Sequence, residues 1–265
     1  KVRQLTVLVL APGKKKDEQD VGDHLHIIRA GGMTKADAFF WSLWRAMKII
    51  QEDHVDIVEA QDPFFAGFIA MLVARRARAR LLVELHGDFW TDDPSLHPGI
   101  IRKFIARRVL MRADRIRVVS NRVRRGLLRE FPRLRDKDIR VFPIVSGESL
   151  WNPYGARDAG IVEQYPQGSI RALFVGRLVR EKGLDWFLPI FAKVAHELPL
   201  HLRILGEGAE KENVQKLIKK FGVTERVTFA KTESHNLPNE YSAADFLLLP
   251  SRQESWGRVV VEALQ

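Results

Sequence analysis

Short apolar runs of strand length alternate along this chain with longer stretches whose apolar positions recur at helical spacing. In the first half the runs fall at 5–10, 24–28, 56–60, 81–85, 115–119 and 139–142, and the helical stretches at 37–52, 64–78, 99–112 and 121–130. This is the pattern of a parallel α/β architecture, in which a helix returns the chain between strands that point the same way. Residues 143–169, with three prolines, four glycines and few periodic apolar positions, read as a linker. A second alternation follows, with strands at 171–175, 201–205, 226–229 and 246–249. Its helices lie at 184–197, 210–221, 239–243 and from about 257 onward. The expectation is two doubly wound domains in tandem, 1–150 and 168–265.

Both ends are expected to be truncations of a longer protein. The chain opens at Lys1 almost directly in a strand. It closes at Gln265 inside the apolar helical run Val259-Val-Val-Glu-Ala-Leu-Gln, with no Gly, Pro or cap to stop the helix. Hydrophobic residues make up 46% of the 265, enough for a core in each domain. No apolar run approaches the roughly 18 residues that span a bilayer. The absence of cysteine excludes disulfides, thiolate metal sites and a cysteine nucleophile, and agrees with a reducing cytoplasm.

Charge changes the picture. The net +10 is concentrated in residues 1–150, which carry +9, against +1 for the rest, and 75–140 alone hold 19 basic and 8 acidic residues. A field of one sign implies an anionic partner, and the basic segment is expected to face a membrane surface or an anionic, lipid-linked acceptor. The bland alternative is a solvated, arginine-biased surface. No nucleic-acid reader motif accompanies the charge, so nucleic acid is not expected as a partner.

Two segments carry candidate chemistry. After the apolar run that ends at Pro250 comes Glu254-Ser-Trp-Gly-Arg-Val-Val-Val-Glu262. A strand, a polar turn with a glycine and a helix start place free backbone N–H groups at the carboxyl end of a sheet, where doubly wound folds bind phosphates. Glu254, in the turn, is an acceptor for sugar hydroxyls. Glu262 sits in an apolar helical stretch, where a charge needs a partner such as the paired hydroxyls of a ribose; alone, it would read as a partly exposed helix glutamate. The second segment is Phe174-Val-Gly-Arg177-Leu-Val-Arg-Glu-Lys182-Gly183. A strand ends in Gly176, and Arg177 and Lys182 follow where they would neutralise a leaving diphosphate. Taken singly, a basic surface loop explains it equally well. In the first half, Leu82-Val-Glu-Leu-His86-Gly87-Asp88 ends a strand in a His-Gly pair. Asp62-Pro63 reads first as a turn and Ser120-Asn121 as a helix N-cap.

Together these segments resemble the donor site of family 4 of the retaining glycosyltransferases. The matching segments are Gly176-Arg177-Leu178 with Lys182-Gly183, Leu205-Gly206-Glu207-Gly208, Leu237-Pro-Asn-Glu-Tyr241-Ser-Ala-Ala244-Asp245, and Glu254 with Trp256, Gly257 and Glu262. The resemblance implies a GT-B fold, two Rossmann-like domains facing across a cleft, and transfer of a sugar from a nucleotide-sugar to an acceptor with retention of configuration. It implies that Arg177 and Lys182 hold the diphosphate and that Glu254 binds the donor sugar. Ser255, Trp256, Gly257, Arg258 and Val259 would line sugar and phosphate, with Gly176 and Gly206 beside them and Glu262 on the ribose. His86 would lie by the reacting sugar. No cofactor is implied beyond the nucleotide-sugar co-substrate, and no metal, since no Asp-x-Asp motif is present. The family's first strand with its Gly-rich loop has no counterpart here, and Pro143-Ile-Val-Ser-Gly147 stands where a Pro-Asn-Gly-Val-Asp turn is usual. The alternatives are a GT-B sugar isomerase, which the paired glutamates disfavour, a GT-B phosphorylase, whose pyridoxal lysine would have to lie outside this sequence, and a non-catalytic module that uses its basic face.

Overall fold

The computed structural model describes residues 3–12, 17–32, 34–87, 89–90, 99–144, 159–231 and 236–264. The chain divides into two compact units, Lys1–Pro143 and Ile144–Gln265.

In the first unit the strands form two sheets rather than one. β1 (Leu5–Pro12) pairs in parallel with β3 (Leu25–Gly32), whose other edge carries β2 (Asp17–Val21) antiparallel. The second sheet is parallel throughout, in the order β4 (Ile57–Ala60), β5 (Arg80–Leu85), β6 (Arg115–Val118), β7 (Ile139–Val141). The helices are α1 (Lys35–Glu52), α2 (Phe65–Ala77), α3 (Ile100–Arg112) and α4 (Asn121–Glu130). β2 is the element that hydrophobic patterning misses. Its sequence, Asp-Glu-Gln-Asp-Val, is exposed throughout, so pairing to β3 and not burial makes it a strand. As a charged edge strand it also discourages pairing with other chains.

Local chemistry fixes the helix starts. Asp37 N–H donates to Thr34 Oγ1 at 3.1 Å and Thr34 N–H to Asp37 Oδ2 at 3.0 Å, a capping box that opens α1. Ser120 caps α4 as its position implied, accepting from Val123 N–H at 3.3 Å. Apolar residues of α1 and α2 then close on both sheets: Ala46, Ile69 and Val73 pack with Leu8 and Leu10 of β1 and Val58 of β4.

The second unit is one parallel sheet in the order β10 (Val227–Ala230), β9 (Leu200–Leu205), β8 (Ile170–Val175), β11 (Phe246–Leu247). Consecutive residues of a strand point to opposite faces, so one side of β8 buries Phe174 and the other buries Leu173 and Val175. On the Phe174 side lie α6 (Leu184–Glu197) and α7 (Lys211–Lys220), which contribute Leu188, Phe191, Val214 and Ile218. On the other side α8 (Leu237–Ala243) and α9 (Arg258–Ala263) contribute Leu237, Tyr241 and Val259. Helices on both faces make the unit doubly wound. Residues 159–169, expected to be linker, carry α5 (Ala159–Val162) and the buried Tyr165.

A charged pair lies in this core. Arg203 of β9 donates through Nε and Nη2 to Glu240 of α8 at 2.8 and 2.9 Å, and both side chains are more than nine-tenths buried. Tyr165 packs nearby, the Arg203 guanidinium 6.0 Å from its ring centre, and burial pushes its phenol up to about 12. Removing one member of such a pair strands the other charge away from water. Glu240→Ala is expected to lower the unfolding free energy by about 3–5 kcal/mol. Arg203→Met combined with Glu240→Leu should recover most of that loss. Urea denaturation of both variants checks this, and a double variant no better than the single one would contradict it.

Candidate functional site

From β8 the chain walks outward through β9 and β10, then returns to place β11 on the opposite edge of β8. The boundary between β8 and β11 is therefore a topological switch point, where loops leaving the carboxyl ends diverge and open a crevice. Both sequence-predicted segments leave the sheet there.

β8 passes into Gly176 and Arg177, and a tight turn at Arg180–Lys182 ends in Gly183 at φ +72°. A Cβ on Gly183 would lie 2.2 Å from the Pro250 carbonyl oxygen, so a glycine lets the loop after β8 press directly on the loop after β11. Trp186 Nε1–H donates to the same carbonyl at 3.0 Å, and Arg252 N–H donates to the Glu181 carbonyl at 2.9 Å. Across this seam the Lys182 ammonium donates to the Glu254 carboxylate, which also accepts from Ser251 Oγ at 2.8 Å. Beneath it, a Cβ on Gly206 would lie 1.9 Å from the Gly176 carbonyl oxygen; the ends of β8 and β9 meet only because that position has no side chain.

Arg177 is exposed, and no carboxylate pairs with it among the described residues. Gly257, at φ +46°, leads into α9. Trp256 Nε1–H donates to the Ile144 carbonyl at 2.9 Å, and the Val259 side chain packs under the sheet with Leu173 and Val175. Arg258 is exposed and turns along α9 to Glu262, Nε to Oε1 2.8 Å. Glu262 is 6% exposed and accepts a second bond from Tyr241 Oη at 2.9 Å. The partner expected for this charge thus exists within the chain. Burial, with the adjacent carboxylate, holds the Tyr241 phenol well above its ordinary value. The structure joins Lys182 to Glu254, places Gly176 and Arg177 in the same loop as Lys182, and bonds Glu262 to Tyr241 and Arg258 instead.

In the first unit His86 follows the carboxyl end of β5, about one-third exposed. Its Nε2 lies 2.6 Å from Gln61 Oε1 and 3.0 Å from Glu84 Oε2. The Gln61 amide nitrogen is engaged with Glu59 at 2.5 Å, so its oxygen faces the imidazole. Two acceptors on one ring nitrogen require that nitrogen to carry the proton. Glu84, 4% exposed, is held in turn by Arg117 Nη1 at 2.6 Å, and Arg117 donates onward to the carbonyls of Phe142 and Pro143. Asp62 stands in the turn expected of it, accepting from Phe64 N–H at 2.7 Å, and burial raises its carboxyl above the usual range. Burial, then the Glu84 charge, raises Glu59 as well. Asp88 lies outside the described residues.

Comparison with known proteins matches this architecture. Residues 2–144 match Glycosyltransferase Family 4, and residues 162–265 match Glycosyl transferases group 1. The chain belongs to glycosyltransferase family 4. It is 26% identical to an alpha-D-kanosaminyltransferase of Streptomyces kanamyceticus, over 75% of this chain and 54% of that protein. It is 27% identical to a D-inositol 3-phosphate glycosyltransferase of Nocardiopsis dassonvillei, over 97% of this chain and 63% of that protein. The chain therefore spans between about half and two thirds of such relatives. Sucrose-phosphate synthase of Thermosynechococcus elongatus superposes with TM-score 0.76 at 20% identity, over 97% of this chain and 68% of that one. Anabaena HepE, solved with UDP and glucose, gives 0.69 at 17% identity, over 91% and 64%. The fold is the GT-B type.

In this family 4 chain, motif reading missed Glu84, Arg117, Gln61 and Ser251. Glu84 left one trace, a charge inside the apolar strand Leu81-Leu-Val-Glu-Leu85. Tyr241 stood in a recognised motif without a role.

Two outcomes follow from this geometry. Long-range nitrogen–proton NMR correlations should show His86 protonated at Nε2, and Glu84→Ala should introduce the Nδ1-protonated form; an unchanged tautomer would contradict the role of Glu84. Glu59 and Asp62 have raised carboxyls, so they bind protons more tightly folded than unfolded. The stability they lend is complete below the unfolded value near pH ~4 and is lost as pH rises through the folded values. Asp62→Asn keeps the acceptor for Phe64 N–H and should flatten that decline as pH rises above about 4. Urea unfolding across this range, with parallel curves for parent and variant, would refute the assignment.

Proposed function

We propose that the protein transfers a sugar from a nucleoside diphosphate sugar to an acceptor, retaining configuration at the anomeric carbon. The observation that carries this is the seam at the switch point, where a lysine and a glutamate 72 positions apart meet beside an exposed arginine. A diphosphate is a compact double anion. Arg177 lies open to solvent beside the end of β8 and is the first group to receive it. Lys182 then exchanges part of its contact with Glu254 for phosphate oxygens, which frees the carboxylate to accept from sugar hydroxyls. As the bond between sugar and diphosphate breaks, negative charge grows on the leaving phosphate, and the two cations stabilise it where a metal ion would otherwise serve. Ser255, Trp256 and Gly257 line the sugar and phosphates through their backbone. Glu262, oriented by Tyr241 and Arg258, receives the ribose hydroxyls. His86 is the catalytic candidate of the first unit, its Nε2 proton fixed by Gln61 and Glu84. Reaction at a cytoplasmic membrane face, on an anionic or lipid-linked acceptor, accords with the charge of residues 75–140.

Calorimetric titration of the full-length protein with a panel of nucleoside diphosphates and their sugars tests the reading. At least one should bind. Arg177→Ala and Glu262→Gln should each weaken it by roughly tenfold or more, the worth of a charge-assisted hydrogen bond. A folded protein that binds none of the panel would overturn the proposal.

A further inference from the structure

Large apolar side chains stand out of three neighbouring helices of the first unit, besides scattered ones such as Leu5, Ile57 and Phe142. Phe40 and Trp44 of α1 are 67% and 59% exposed, Phe65 of α2 is 49%, and Ile100, Ile101 and Phe104 of α3 are 88%, 73% and 64%. α1 neighbours α2, and α2 neighbours α3. In a parallel α/β unit each helix runs back against its strands, so helix N-termini gather at the carboxyl edge of the sheet. Five of the six occupy the first two turns of their helices and Trp44 lies midway along α1, and side-chain contacts join the three helix starts. Phe39 meets Phe40 and Phe65 edge-on at 5.5 and 6.1 Å, and the Arg102 guanidinium lies 4.3 Å over Phe64, which precedes α2. Single exposed apolar residues are ordinary, whereas a contiguous group of this size marks a surface that meets something.

What it meets is indicated by the charge. On α3, Arg107, Arg108 and Arg112 follow the apolar turn and are exposed, interleaved with the 39%-exposed Met111. Among the described residues no carboxylate pairs with these three arginines. Seen down the helix axis, Ile100, Phe104 and Met111 form a stripe with Arg107 on one flank and Arg108 and Arg112 on the other. The buried face is Ala106, Val109 and Leu110. A protein partner with an apolar face would have no use for unpaired arginines on both flanks. A surface with acyl chains below and phosphates above uses both, and tryptophan and phenylalanine settle at that boundary.

We propose that the exposed face of α1 bearing Phe40 and Trp44 and the N-terminal ends of α2 and α3, with the arginine-flanked face of α3, form a docking surface for an anionic lipid bilayer. Phe40, Trp44, Ile100, Ile101 and Phe104 enter the headgroup layer, and the arginines rest on lipid phosphates. The binding stands on its own. Its consequence, delivery of a lipid-linked acceptor to the sheet edge that carries His86, rests on the glycosyltransferase reading.

Flotation of the full-length protein with phosphatidylcholine vesicles, with and without phosphatidylglycerol, tests the surface at low and high salt. The protein should float only with phosphatidylglycerol, and a residue of binding should survive high salt, since screening weakens the arginines but not the apolar insertion. Changing Ile100, Ile101 and Phe104 together to serine should abolish the salt-resistant part. Changing Arg107, Arg108 and Arg112 to glutamate should lower affinity on the order of a hundredfold or more. These positions are exposed, so circular dichroism and nucleotide titration of both variants should match the parent. Equal flotation on neutral vesicles, a serine variant that binds like the parent, or retention on nucleic acid with no vesicle binding would each overturn the proposal. Nucleotide titration needs no vesicle and flotation needs no nucleotide, so failure of one reading is distinguishable from failure of the other.

Discussion

The ion pair between Lys182 and Glu254 fastens the loop after β8 to the loop after β11, and the arrangement of the second unit follows from that join. The two strands are parallel neighbours, Phe246 beside Ala172 and Leu247 beside Leu173. At their amino ends Arg171 clasps Asp245 through two side-chain bonds at 2.7 and 3.1 Å, with its own N–H adding a third at 2.8 Å. β11 is only two residues long, too short for its ladder alone to hold it. Charged clasps at both ends set its register, and that register determines where α9, Gly257 and Glu262 stand. The site proposed for the diphosphate thus rests on a pairing that keeps its own lysine and glutamate oriented before any ligand arrives.

The same logic recurs wherever a charge enters a buried strand. Glu84 on β5 and Arg117 on β6 are direct partners in the ladder, and Arg203 on β9 finds Glu240 on α8. A lone charge in those positions would be costly, and each is retained because its partner occupies one definite place. Such pairs favour one register over its neighbours, since a slip by one residue would send each charge to the wrong face. In the first unit the pair does more than hold the sheet. Its carboxylate reaches His86, so a packing requirement inside the sheet also fixes the ring at its edge.

The two units divide their labour by charge. The first is strongly basic and bears the exposed Phe65, Ile100, Ile101 and Phe104 at the starts of α2 and α3. The second is almost neutral, and its switch-point loops carry Arg177, Arg180, Lys182 and Arg252. Polar chemistry is thereby kept at strand ends, where loops vary without disturbing the layers beneath them.

Periodicity along the chain sufficed to order the strands and helices other than β2 and α5, because burial on one or both faces leaves a period in the residues that do the burying. Helix 184–197 and helix 121–130 have the bounds that patterning predicts. Motif spacing likewise singled out Lys182 and Glu254, since both belong to loops that follow apolar strands. It could not place β2, whose residues are exposed and whose only cause is hydrogen bonding to a strand elsewhere. Nor could it assign Tyr241 to Glu262, or Glu84 to His86. Those pairings depend on which strand lies beside which and on which side of a helix faces the sheet, and a linear sequence carries no local signal of either. The division of the first unit into two sheets is of the same kind. Both sheets bury the same sorts of residue, and only hydrogen bonding between particular edges separates them.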